Sequence, residues 1–165
     1  MDDFGIVIMY HGDVPLDYRD REKETYDGVQ MMMGMASEKI RAISRDSMYD
    51  PHCEMTKEIA KTMKEKGGYE LLEVGFMNFC LPTVEEALEK LKDQGAEYII
   101  ALTNFNLQGE SGHSLIDAPE IVAELQKKHP DLEFEYIRPG FDDEEVADIM
   151  IEKITTHLKE WEGGK

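Results

Sequence analysis

Four apolar runs punctuate an otherwise polar chain, at residues 4–10, 71–76, 97–103 and 132–137. Each is short and bounded by Gly, Pro or charged residues, which is the pattern of a strand. Between the runs, apolar positions recur at steps of three and four, the spacing of one helix face. Tyr26, Val29, Met33, Ala36, Ile40 and Ile43 predict a helix over about 24–45. Asp50-Pro51 starts another, in which Met55, Ile59 and Met63 share a face and Gly67-Gly68 is the stop. Pro82 opens the next, with Val84, Ala87, Leu88 and Leu91 inward and Gly95 at its end. Ala118, Ile121, Val122 and Leu125 mark a fourth, ended by Pro130. Asp117 and Glu120 have the spacing of a capping box for it, with Asp in place of Ser or Thr. The last helix, 142–161, opens with four acids that suit the positive end of its dipole. Its stripe is Val146, Ile149, Met150, Ile154, Leu158 and Trp161.

The order is β-α-α-β-α-β-α-β-α. Strands alternating with helices predict an α/β, three-layer sandwich whose small four-stranded parallel sheet is covered on both faces. At 165 residues the chain reads as one domain, with no internal repeat or low-complexity tract.

Ligands of an open α/β sheet bind at the carboxyl ends of its strands. Two histidines fall there. His11 directly follows the first apolar run, and His113 follows the third across a loop of about a dozen residues. Two imidazoles at one sheet edge can share a divalent metal, or one can bind it while the other moves a proton. The remaining histidines read differently. His129, before Pro130, suits the negative end of a helix; His157 lies among polar residues; His52 adjoins Cys53 but has no further ligand nearby.

The net charge of −18, from 36 acidic against 18 basic residues, argues against nucleic acid and against an anionic membrane surface. No apolar run is long enough to span a bilayer, and the acidic start Met1-Asp2-Asp3 lacks a signal-peptide pattern, so the expected location is cytoplasmic. Cys53 and Cys80 form no CxxC pair and read as thiols. The chain lacks GxxxxGK, GxGxxG and GxSxG, which leaves phosphate-loop, dinucleotide and serine-hydrolase chemistry without support, and no organic cofactor is expected.

Taken in order, several segments resemble one family. They are Tyr10-His11-Gly12, the stretch Val74-Gly75-Phe76 through Pro82-Thr83-Val84 to Leu88, Gln94-Gly95-Ala96, Gly112-His113 with Asp117, Pro119, Glu120 and Ile121, and then His129-Pro130 and Arg138-Pro139-Gly140. The chain resembles the small class II chelatases of the sirohydrochlorin cobaltochelatase type, including archaeal relatives that insert nickel. The resemblance implies half of the larger chelatase fold, paired as a homodimer to build the cleft. It implies ATP-independent insertion of Co²⁺ or Ni²⁺, less readily Fe²⁺, into a tetrapyrrole such as sirohydrochlorin, as in cobalamin biosynthesis. The metal is then a substrate. His11 and His113 are the implied catalytic and metal-binding groups, with Tyr10, Asn78 and Glu110 as substrate-binding candidates.

The chain departs from that family at three places. Asn78 and Leu81 stand where the family carries acids, so a proton acceptor is missing and Glu110 is the candidate substitute. Ser114-Leu115-Ile116 replaces a basic stretch, although the macrocycle is a polycarboxylate. An extra segment of about 18–48 carries Met31-Met32-Met33-Gly34-Met35, which suits core packing or a subunit interface, a lid over a flat ring, or soft Cu(I). These departures also fit a second reading, a chelatase-like protein that binds a metal or tetrapyrrole without inserting one.

Overall fold

The computed structural model describes residues 4–12, 41, 51–103, 112–138 and 140–163. Strands β1 (Phe4–Tyr10), β2 (Leu72–Phe76), β3 (Tyr98–Thr103) and β4 (Glu133–Ile137) form one sheet in the order β2-β1-β3-β4. Every pairing is parallel; Ile6 faces Leu72 on one side and Ile100 on the other, and Ile99 faces Phe134. The connecting helices are α1 (Pro51–Gly67), α2 (Val84–Asp93) and α3 (Ala118–Lys128), and α4 (Asp143–Gly163) follows β4. The expected helix over 24–45 lies outside the described residues except for Arg41, which is helical. No helix among the described residues is long and apolar enough to cross a membrane.

The side-chain period of two sends alternate residues of β1 to opposite faces. Val7 and Met9 enter one core with Val84, Ala87, Leu88 and Leu91 of α2 and Ala118 and Leu125 of α3. Ile6 and Ile8 enter the other with Leu72, Val74, Phe76 and, from α1, Cys53 and Ala60. The apolar face expected for α2 is therefore the buried one, and each leucine contributes about 1.5–3 kcal/mol by leaving water.

Helix α1 turns differently from the expected stripe. Met55 and Ile59 are exposed, whereas Cys53, Thr56 and Ala60 are buried. Small residues on the inner face let α1 lie close to the sheet. Both described cysteines are buried and neither is in a disulfide. The stripe of α4 is also on the outside: Met150 is 59% and Trp161 56% exposed, and Val146 alone among residues 143–161 is partly buried.

Glycine 75 decides how closely α2 approaches β2. A Cβ built there would lie 2.6 Å from Val84 Cα, so only a residue without a side chain admits the helix start. The start itself is secured by a capping box not anticipated from Pro82: Glu86 N–H donates to Thr83 Oγ1 and Thr83 N–H to the Glu86 carboxylate. The acids at the start of α4 do the same, as Asp142 and Glu145 exchange backbone-to-carboxylate hydrogen bonds.

From β1 the chain adds β2 on one side and then β3 and β4 on the other, so the direction of progression across the parallel sheet reverses between β1 and β3. The crevice beyond their carboxyl ends is where such sheets bind ligands.

Candidate active site

His11 stands at the mouth of that crevice because the chain beyond β2 continues the pairing with β1. Met77 N–H donates to the Tyr10 carbonyl at 2.7 Å and Asn78 N–H to the His11 carbonyl at 2.9 Å. Gly12 then turns the chain away at φ +81°, and a Cβ on it would lie 2.2 Å from the Asn78 carbonyl oxygen. Phe79 is held at φ +53°, a conformation that costs a non-glycine residue free energy and recurs where function needs it. Its ring meets His11 edge-on, with centroids 5.3 Å apart.

His113 arrives from the other side of the crevice. The expected loop around it is instead a π-helical turn, His113–Asp117, running directly into α3, with Ala118 N–H donating to the His113 carbonyl. Such wide turns are rare and often sit at functional sites. The turn is anchored to the sheet through Ser114, which is buried. Tyr136 Oη donates to the Ser114 carbonyl at 2.7 Å, and Thr103 Oγ1 lies 3.2 Å from Ser114 Oγ and 3.1 Å from Tyr136 Oη.

The two imidazoles meet, with ring centroids 4.6 Å apart and planes tilted by 40°. His11 Nδ1 is 2.9 Å from the Gly12 carbonyl oxygen and His113 Nδ1 is 2.5 Å from Asp117 Oδ2. A carbonyl only accepts, so Nδ1 of His11 carries the proton and Nε2 the lone pair. The Asp117 carboxylate selects the same tautomer for a neutral His113. The expected capping role of Asp117 is thus not observed: it makes no side-chain cap hydrogen bond, because its carboxylate is engaged by His113 one turn back. A carboxylate behind a histidine is the arrangement that orients metal-ligating imidazoles.

The other expected site residues divide. Asn78 touches His11 through its backbone. Tyr10 ends β1 and sets its ring against Phe76, with centroids 6.4 Å apart, on the α1 side of the sheet. Glu110 lies outside the described residues, as do the Met-rich run and His52's side chain. Leu81, in the place of a family acid, is exposed. Acids come instead from the end of the π-helical turn and from α3: Asp117, Glu120 and Glu124 line a pocket together with Asn78 and Met77. Their i, i+3, i+7 spacing was visible in the sequence, but only the packing of α3 beside the β2 loop turns it toward Asn78.

The family model for CbiX matches residues 40–157, well over half of the chain. The chain belongs to the CbiX family. It is therefore a class II metal chelatase of the sirohydrochlorin cobaltochelatase type. Among its relatives, a sirohydrochlorin cobaltochelatase of Methanopyrus kandleri is 29% identical over 127 residues, covering 65% of this chain and 87% of that one. One from Methanocaldococcus jannaschii is 25% identical over 124 residues, covering 61% and 85%. The fold matches a CbiX protein from Marinobacter aquaeolei assigned to cobalamin (vitamin B12) biosynthesis, at TM-score 0.62 and 15% identity over 96% of this chain and 98% of that one. It also matches the sirohydrochlorin chelatase SirB of Bacillus subtilis in complex with cobalt, at TM-score 0.62 and 18% identity, over 93% of this chain and 50% of SirB.

Proposed function

We propose that this CbiX-family protein inserts Co²⁺ into sirohydrochlorin or a close tetrapyrrole without ATP, with Ni²⁺ as the alternative metal. The facing pair His11 and His113 carries this reading. Each ring has Nδ1 beside an acceptor, and an imidazole held in that way presents its other nitrogen as the ligand for a metal. Imidazole suits Co²⁺ and Ni²⁺, and two such ligands hold an ion without sequestering it. Insertion forms bonds from the metal to the pyrrole nitrogens and releases two protons per divalent ion. Once the metal has passed to the ring, the same imidazoles are placed to take up the pyrrole protons as general bases. Asp117, Glu120 and Glu124 are the carboxylates that would carry those protons away, in place of the acids replaced by Asn78 and Leu81. Tyr10, Asn78 and Glu110 complete the proposed substrate contacts.

The macrocycle's carboxylates need a cation. Arg41 supplies one: its Nη2 donates to the Met77 carbonyl at 3.2 Å, beside Asn78, and its buried Nε has no hydrogen-bond partner among the described residues. Arg41 belongs to the extra segment of about 18–48, the rest of which lies outside the described residues. A homodimer in the cytoplasm completes the proposal, supported by the exposed apolar stripe of α4 and by buried cysteines outside any disulfide.

The test is anaerobic visible absorption of sirohydrochlorin with excess Co²⁺ or Ni²⁺, with and without protein. Many turnovers above the spontaneous rate support insertion; a shift that stops at one equivalent of protein supports binding alone.

Asp117→Asn keeps the size of the side chain but removes the charge that selects the His113 tautomer. Its expected cost is about 10–100-fold in activity, the usual effect of losing a partner behind a metal-ligating histidine. Steady-state kinetics on the variant decide the point, and unchanged kinetics would remove Asp117 from the site.

A further inference from the structure

We propose a second divalent-cation site formed by Glu85, Glu89 and His129. One carboxylate oxygen from each glutamate and one ring nitrogen of His129 lie within 4.8 Å of one another. The glutamates are one turn apart on α2, so their carboxylates share a face. His129 closes α3, its backbone N–H donating to the Leu125 carbonyl at 2.9 Å. A second observation concerns the same imidazole. Nε2 of His129 is shielded from solvent and has no hydrogen-bond partner among the described residues. A buried ring nitrogen without a partner is unfavourable, and an ion bound there removes the penalty. The carbonyl end of α3 adds partial negative charge, which favours a cation.

The site is distinct from the His11–His113 pair. His113 precedes α3 and His129 follows it, and the 11 residues of that helix rise about 16 Å. No single ion bridges that span. One imidazole with two carboxylates suits Zn²⁺, Co²⁺ or Ni²⁺, with water completing the shell. Bound there, the ion ties α2 to the end of α3 over one face of the sheet.

Lys128 is the competitor. Its Nζ lies 2.8 and 2.9 Å from the two Glu85 oxygens, and this hydrogen bond holds the ammonium above its ordinary range. The lysine is more than half exposed and explains Glu85, but it leaves Glu89 and the His129 nitrogen unexplained. An ion must displace it.

Zn²⁺ alone is the probe, added to the full chain carrying His11→Ala and His113→Ala and followed by calorimetry and by ¹⁵N spectra of the histidine rings. One equivalent is expected to bind and to move the His129 ring nitrogens. Glu89→Gln should weaken it by about tenfold or more, since even the partner behind a ligand is worth that much. Lys128→Ala should tighten it about two- to fivefold by removing an exposed ion pair. The unsubstituted chain should show the same His129 shift, which keeps the test valid if the double variant folds poorly. Silent His129 ring signals, or binding that Glu89→Gln leaves unchanged, would overturn the site. Neither result depends on whether the chain inserts metal into a ring.

Discussion

His113→Ala is expected to lower kcat/KM for Co²⁺ insertion by about 10³-fold while leaving the fold intact. The size follows from removing, in one change, a metal-binding nitrogen and a proton acceptor; general acid–base groups by themselves contribute about 10²–10⁴-fold. The fold should survive because the His113 side chain is 44% exposed and belongs to neither apolar core. The turn around it is held by Ser114, Thr103 and Tyr136 rather than by the imidazole. Initial rates against the spontaneous reaction, with thermal unfolding as the control, measure both halves. A variant that turns over normally would sink the assignment of His113, and a variant that unfolds would show that the ring is structural.

Gly12→Ala is expected to be the most damaging single methyl in the site. A side chain at φ +81° is strained, and the new Cβ would sit 2.2 Å from the Asn78 carbonyl oxygen, inside any real contact distance. Strained backbone costs about 1–3 kcal/mol, and the overlap with main chain adds to it, so a loss of roughly 3 kcal/mol is expected. For a chain of this size that is roughly 10 °C in Tm. The relief available is to push Asn78 away, but Asn78 N–H is what holds the His11 carbonyl at 2.9 Å. Activity should therefore fall further than the loss of folded protein explains. Urea titration paired with the insertion assay separates the two effects. A Tm within a degree or two of the parent would mean that the turn after β1 does not need glycine.

Much of this was legible beforehand, for reasons that can be named. The inward residues of α2 follow helical spacing, and Val84, Ala87, Leu88 and Leu91 are all buried. β1 and β2 were visible because both of their faces are covered, which makes their apolar runs nearly continuous; the expected cover does not extend to β4, where Glu133, Glu135 and Ile137 are exposed and the run alternates. His11 and His113 stood out because each lies just past such a run, and parallel strands bring their carboxyl ends to one edge. Of the stripe expected for α1 only Met63 packs against the core; Met55 and Ile59 are more apolar than Thr56 and Ala60, yet the close approach to the sheet selects the smaller residues. At Asp117 the spacing to Glu120 satisfies a cap, but His113 is an equally local partner and takes the carboxylate. Phe79 gave no signal at all, since a left-handed phenylalanine is imposed by the loop that returns to β1.

The sequence by itself determined the layers. Local periodicity is set by the backbone geometry of helix and strand, so the α/β order, the buried face of α2 and the two strand-end histidines follow from residues close in the chain. Only the tertiary structure decided the chemistry of their meeting. The strand order β2-β1-β3-β4 reverses at the crevice and brings His11 and His113, a hundred positions apart, to a ring separation of 4.6 Å. The same packing sets Glu120 and Glu124 beside Asn78 and His129 beside Glu85 and Glu89. These are contacts between elements, and no local propensity encodes which helix face will lie across from which loop.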